Sequence, residues 1–158
     1  MENLKYTYNQ VNEWIKIADQ KALILGSFNM ASFIYQLANL DKLKYISIYA
    51  TIPLVLYILS IFLALFFWLR IIYPKLDNKY KKSKIYFQHI ANAYEKDIDL
   101  GIDELQNLDE QEIKRDLASQ IVINSIIAKK KYNDIQKFIW VFAFQLFLLV
   151  LLIVQNLF

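Results

Sequence analysis

Three apolar stretches, each about as long as a lipid bilayer is thick, constrain the fold of this chain more than any other feature. They cover residues 22–40, 45–70 and 138–158, and a helix of about 20 residues crosses the hydrocarbon core of a membrane. Hydrophobic residues make up 57% of the 158-residue sequence, which has only two glycines and two prolines. The pattern therefore predicts an all-α membrane protein with three transmembrane helices.

A polar insert, residues 71–137, separates the second span from the third. Lysines concentrate near both of its ends, and lysine-rich segments next to spans stay on the cytoplasmic side of a membrane. We therefore expect a cytoplasmic insert, a cytoplasmic N-terminus and an external C-terminus. Lys42 and Lys44 oppose this orientation but are outnumbered by the basic residues of the insert.

The insert itself is predicted to be helical. Residues 77–94 favour one helix, and Gly101 within the acidic run 97–104 indicates a turn. From about Asp109 the helical pattern continues to the end of the chain, with acidic residues where a helix dipole favours them. The third span is therefore expected to continue a long cytoplasmic stalk helix.

Residues 1–21 form a predicted amphipathic helix with an apolar stripe that includes Val11 and Ala18. Polar or amphipathic side chains flank this stripe, and a seam of the stalk helix carries polar groups at matching helical spacing. We expect the two sets to dock, with Asp19 near a lysine because a carboxylate at the membrane border is otherwise costly. The docking residues are Asn12, Trp14, Asp19 and Lys21 on the N-terminal helix and Gln120, Asn124 and Lys131 on the stalk.

A second set of polar or small residues recurs at helical spacing inside the first span: Gly26, Asn29, Ser32 and Gln36. Two interpretations remain open from the sequence. The stripe either packs against the other spans, with its amides hydrogen-bonded there, or lines a water-filled pore in an oligomer.

No catalytic, metal or cofactor site is expected. His89 is the single histidine, the chain has no cysteine, and the sequence contains no glycine-rich phosphate loop. The acidic run 97–104 lacks the spacing of a calcium-binding loop. Membrane topology and anionic lipid explain the lysine clusters, although Lys129–Lys131 could instead contact nucleotide phosphates.

Three sequence blocks resemble the small membrane proteins called Pycsar effectors. The first is NEWI at residues 12–15 followed by ADQKA at 18–22; SKIYFQHIA at 83–91 and DLASQIVINSIIAKKKY at 116–132 follow in the same order. The resemblance covers nearly the whole chain. It implies an antiphage effector of the bacterial inner membrane that responds to a cyclic pyrimidine nucleotide. One departure is that no segment resembles a cyclic-nucleotide-binding barrel.

Two functions are compatible with this resemblance. The first is a membrane effector that disrupts or depolarises the inner membrane as a homo-oligomer, signalled by a cyclic nucleotide or a soluble defence protein. The alternative is a membrane-anchored accessory protein that recruits or regulates a soluble nucleic-acid-sensing enzyme. Neither requires catalysis by this chain or direct binding of nucleic acid by it.

The orientation is testable because the chain has no native cysteine. A single cysteine replacing Asp41 should react with an impermeant maleimide from outside the cell, and one replacing Asp103 only after the cytoplasm is opened. The opposite labelling pattern at either position would contradict the predicted topology.

Overall fold

A computed structural model describes residues 1–39, 48–74, 83 and 87–155. Within these ranges the secondary structure is helical and contains no strand, so the prediction of an all-α chain is confirmed for them. There are five helices in this part of the chain: α1, Glu2–Ala38; α2, Ile48–Ile72; α3, Phe87–Tyr94; α4, Ile98–Gln106; and α5, Glu110–Gln155.

Two of these helices, α2 and α5, are long and apolar enough to cross a membrane. The sequence predicted three spans. The one that does not meet this criterion is residues 22–40, which α1 contains as far as Ala38. Asn29 and Gln36 lower the mean hydropathy of this segment, so α1 is long enough to cross a membrane but is not apolar enough by composition.

The last helix, α5, runs for 46 residues without a break, roughly 70 Å at 1.5 Å per residue. Acidic residues occupy its first turn, as the helix dipole favours. Lys114 pairs with Glu110 one turn away at 2.8 Å, and the hydrogen bond and charge of that lysine lower the pKa of the Glu110 carboxyl. The predicted continuous helix is confirmed from Glu110 to Gln155.

The turn predicted at Gly101 is wrong, because Gly101 lies inside α4. Asp97 caps this helix by accepting a hydrogen bond from the Leu100 amide at 3.0 Å, so the acidic run starts a helix here. Gly101 admits the Tyr94 ring, which a Cβ at position 101 would approach to 2.7 Å. Of the helix predicted over 77–94, α3 accounts for residues 87–94, and residues 77–82 and 84–86 lie outside the described ranges.

The chain divides into two compact units, and α1 and α5 contribute residues to both. Unit 1 comprises Met1–Lys16 and Lys75–Lys129, and unit 2 comprises Ile17–Pro74 and Lys130–Phe158. In unit 1, Val11 of α1 and Leu117 of α5 are buried. Unit 2 has two clusters of buried apolar side chains, one around Ala18, Ala22, Ala64, Ile71, Ile135 and Phe138 and the other around Tyr57, Ile61, Leu148 and Leu152.

A close contact joins α1 to α2 at Gly26. The Trp68 indole donates a hydrogen bond to the Ala22 carbonyl at 3.0 Å, and the ring lies over Gly26, one turn further along α1. A Cβ at position 26 would overlap the indole ring. Glycine therefore lets a bulky aromatic side chain reach the backbone of the neighbouring helix.

Gly26→Leu should lower the melting temperature of the detergent-solubilised protein by several degrees, because overpacking costs about 1–3 kcal/mol. Ser27→Leu is the matched control, since Ser27 is exposed on the next position of α1. Circular dichroism at 222 nm, which reports the helical backbone, measures the melting of both variants. Equal melting temperatures for the two variants would contradict the assigned contact.

Candidate functional site

An ion pair joins α1 to α5 within unit 2. The Lys131 ammonium donates a hydrogen bond to the Asp19 carboxylate. The Lys131 side chain is 6% exposed and that of Asp19 is 44% exposed, so the lysine lies inside while the carboxylate meets solvent on one side. A charged group buried to this extent is stabilised by a partner of opposite charge.

A second ion pair joins α2 to α5 in the same unit. Arg70 Nε lies 3.2 Å from an oxygen of Asp134, whose side chain is 6% exposed. Lys137, one turn along α5, lies 3.8 Å from the other oxygen of that carboxylate. The two ion pairs thus connect α5 to both α1 and α2.

Cations also lie over aromatic rings in unit 2. The Lys21 ammonium is 5.4 Å from the centre of the Tyr132 ring, and the Lys137 ammonium is 5.9 Å from that of Phe67. At these distances the ring quadrupole attracts the cation. Lys21 and Asp19 of α1 therefore both contact α5, through different kinds of interaction.

The remaining docking residues lie in unit 1. The Asn124 amide donates a hydrogen bond to the Asn12 side-chain oxygen at 2.8 Å, and Gln120 is buried one turn before Asn124 on α5. Trp14 is about half exposed on α1. Of the seven residues, the structure pairs Asn12 with Asn124 and Asp19 with Lys131, and it places Lys21 over an aromatic ring.

The polar stripe of α1 faces the interior of unit 2. Gly26, Asn29 and Gln36 are buried, and Ser32 is partly buried. The Gln145 amide of α5 donates to Ser32 Oγ at 3.0 Å, and the Tyr57 hydroxyl of α2 lies 2.6 Å from the same oxygen. Within one chain, these contacts connect the stripe to both other long helices of the unit.

Several residues of the contacts described so far had not been selected from the sequence, among them Tyr57, Trp68, Asp134 and Gln145. Gln145 carried a visible signal, because it is the one strongly polar residue between Phe138 and Val154. Asp134 also carried one, as an acidic residue within a lysine-rich segment beside a span. Tyr57 and Trp68 carried none, since aromatic residues are common in apolar helices and only their partners show their role.

The ion pairs, ring contacts and hydrogen bonds described above hold neighbouring helices together and fix their orientation. The part of the chain that the structure describes contains no group of three or more His, Cys, Asp or Glu side chains that could hold a metal ion. The side chain of His89 lies outside the described part.

Comparisons with known proteins match nearly the whole chain. Residues 3–156 match the family model described as the Pycsar effector protein domain. The chain is also 28% identical over 138 residues to the Pycsar effector protein SaPycTM of Staphylococcus aureus, covering 86% of this chain and 83% of that protein. No solved structure shows a significant match. Because the family model spans nearly the full length of α1 to α5, the chain belongs to the Pycsar effector protein family.

Proposed function

We propose that this chain is an antiphage effector of the bacterial inner membrane that disrupts or depolarises the membrane as a homo-oligomer when it is signalled. Membership of the Pycsar effector family supports the effector role, and that family consists of membrane effectors not known as enzymes. The observation that carries the proposal is the arrangement of unit 2. Several polar side chains of its apolar segments, among them Asn29, Gln36 and Gln145, point inward, and many of its large apolar side chains point outward.

The outward face of unit 2 fits a lipid environment. In each of α2 and α5, only 22% of the most apolar stretch is buried within the protein. The core helix of a soluble protein would be mostly buried. Phe62 and Trp140 are among the most exposed large side chains. Burying one such side chain away from water contributes about 1.5–3 kcal/mol, so this surface is stable in a bilayer and unstable in water.

The same arrangement supports α1 as a third membrane span. Leu23, Ile24, Phe28 and Ile34 are all more than half exposed on α1, while Asn29 and Gln36 face inward. Mean hydropathy averages the two faces and therefore understates how apolar the lipid-facing side is. The lysines of the insert favour the cytoplasmic side of the membrane. With three spans, the N-terminus then lies in the cytoplasm as well, and the chain is multi-pass.

Activation then requires two states. In the closed state, Ser32 and Asn29 pack inside the bundle, and the docking contacts of α1 with α5 hold that arrangement. In the open oligomer, the stripe meets water and ions cross the membrane. A cyclic nucleotide or a soluble defence protein can open it only by binding the open state more tightly than the closed one.

Leakage of dye-loaded liposomes tests the effector role directly. Purified protein, reconstituted without a second protein, should release the dye when the activating signal is added. Signal-dependent depolarisation of cells without any release from liposomes would instead favour the accessory role, in which another component damages the membrane.

The double variant Asn29→Leu, Gln36→Leu should abolish depolarisation, because a stripe without amides cannot hold water in an open state. The matched control is Phe28→Leu, Tyr35→Leu, which has the same seven-residue spacing on the exposed face of α1. A potential-sensitive dye reports activity, and membrane fractionation confirms insertion. Unchanged depolarisation in the inserted Asn29, Gln36 variant would show that the stripe only packs.

Asp19→Asn should raise depolarisation in the absence of a signal by roughly tenfold, because a hydrogen bond between charged groups contributes about 1.5–3 kcal/mol. Glu13→Gln is the matched control, since it removes one carboxylate from an exposed position of α1. The exchange Asp19→Lys, Lys131→Asp should return basal activity toward that of the parent. Equal basal activity in Asp19→Asn and Glu13→Gln would exclude the ion pair as a lock.

A further inference from the structure

A groove with an apolar floor lies between α3 and α4 in unit 1. Its volume is about 480 Å³, and its apolar lining includes Ile90 and Tyr94 of α3 and Ile98, Ile102 and Leu105 of α4. Ile98 is 70% exposed and Ile102 is 47% exposed, so the groove is open along α4. Several large apolar side chains exposed together mark an interaction surface.

Acidic side chains border this α3–α4 groove. Residues 87–107 contain five acidic residues and one lysine. Asp99 and Asp103, one helical turn apart, are exposed along one side of the apolar face of α4. On the other side, Glu104 accepts a hydrogen bond from the Tyr94 hydroxyl at 2.6 Å. Carboxylates repel the anionic phosphates of lipid head groups and nucleotides, so the groove fits an apolar segment that carries positive charge.

One exposed face of α5 in the same unit has this composition. Arg115, Val122 and Lys129 follow one another at seven-residue spacing and therefore share a side of the helix. All three are exposed, Val122 at 59%. Ala118 and Ser125 lie between them, and side chains this small let another element approach closely. We call these five residues the basic face of α5.

The basic face does not suit pairing with itself. Side by side in parallel, two copies would place Arg115 opposite Arg115 and Lys129 opposite Lys129. In the antiparallel arrangement, Arg115 would lie opposite Lys129. Like charges repel in both arrangements, so the face requires an acidic partner.

The groove and the basic face are complementary in charge and in shape. Val122 is an exposed apolar side chain with a cation about 10 Å away on either side along the helix axis. The groove offers the converse, an apolar floor between carboxylates. Because each surface is open in the single chain, the complementary surface that each requires is present on a second copy.

We propose that the α3–α4 groove of one copy binds the basic face of α5 on a second copy. Val122 inserts into the groove, and the Arg115 and Lys129 side chains reach the carboxylates along its rim. Since the contact joins two different faces, it repeats from copy to copy and closes into a ring if the rotation between copies closes. This interface rests on the proposed homo-oligomer for its occupant and names the surfaces by which that oligomer assembles.

Disulfide cross-linking between two differently tagged copies tests the interface, because the chain has no native cysteine. One full-length copy carries Ile102→Cys and the other Val122→Cys, and both are oxidised together in bacterial membranes. A disulfide requires Cα atoms within about 7 Å, so a product with both tags should form. Leu100→Cys paired with Val122→Cys is the matched control and should give a several-fold lower yield. Leu100 is 50% exposed but lies on the side of α4 away from the groove.

Charge reversal provides the second measurement. Asp103→Lys, added to the copy with Ile102→Cys, should lower the yield several-fold because it puts a cation on the rim of the groove. The pair Arg115→Glu, Lys129→Glu in the other copy should restore it. Ile98→Cys takes the place of Ile102→Cys if that variant does not fold, since Ile98 lines the same groove.

Equal yields from the groove pair and the Leu100 control would overturn the proposal. An unchanged yield with Asp103→Lys, or a loss that the reversed basic face does not restore, would overturn it as well. A cross-link from position 102 to a different protein in place of the second copy would assign the groove to that protein and also overturn it.

Depolarisation of the same cells separates this inference from the proposed function. A specific cross-link between copies in cells that never depolarise when signalled would contradict the proposed function alone. Depolarisation by copies that do not cross-link through the groove would contradict the interface alone.

Discussion

Polar groups that leave water must find partners inside the protein, and this requirement determines which side of each helix in unit 2 faces inward. Ser32, Tyr57 and Gln145 meet because each carries a polar atom that lipid cannot satisfy. Many apolar side chains of the same helices face outward, since an apolar group needs no hydrogen-bond partner there. The core of this unit is consequently defined by hydrogen bonding as much as by hydrophobic burial, which supplies no net attraction between helices already in lipid.

The ion pairs follow the same requirement at one end of the unit. Asp19 and Lys131 join α1 to α5, and Arg70 and Asp134 join α2 to α5. In each pair one side chain is deeply buried and its partner is about half exposed. Such pairs specify which residues lie opposite each other more than they add stability, because removing charges from water offsets much of their attraction. They are therefore suited to distinguishing two arrangements of the helices.

Much of α1 could be predicted from the sequence, because helical periodicity alone puts Asn29, Ser32 and Gln36 on one face. Periodicity does not reveal the partner, so the roles of Tyr57 and Gln145 required the structure. The error at Gly101 has a similar origin. Glycine usually interrupts a helix, but here the Asp97 cap and the Tyr94 ring favour continuing it. Mean hydropathy combines the exposed apolar side chains of α1 with its buried amides Asn29 and Gln36, so it does not show the contrast between the two faces.

The contact between Gly26 and Trp68 has a consequence for how such sequences diverge. The Ala22 carbonyl accepts the indole proton in addition to its ordinary helical amide, and the ring fills the space where a Cβ would stand. A larger residue at position 26 therefore requires a smaller side chain at position 68. Among relatives that retain this helix pairing, a larger residue at the position of Gly26 should occur together with a smaller one at the position of Trp68. Covariation of these two columns in an alignment would then mark the register between α1 and α2, independently of any membrane activity.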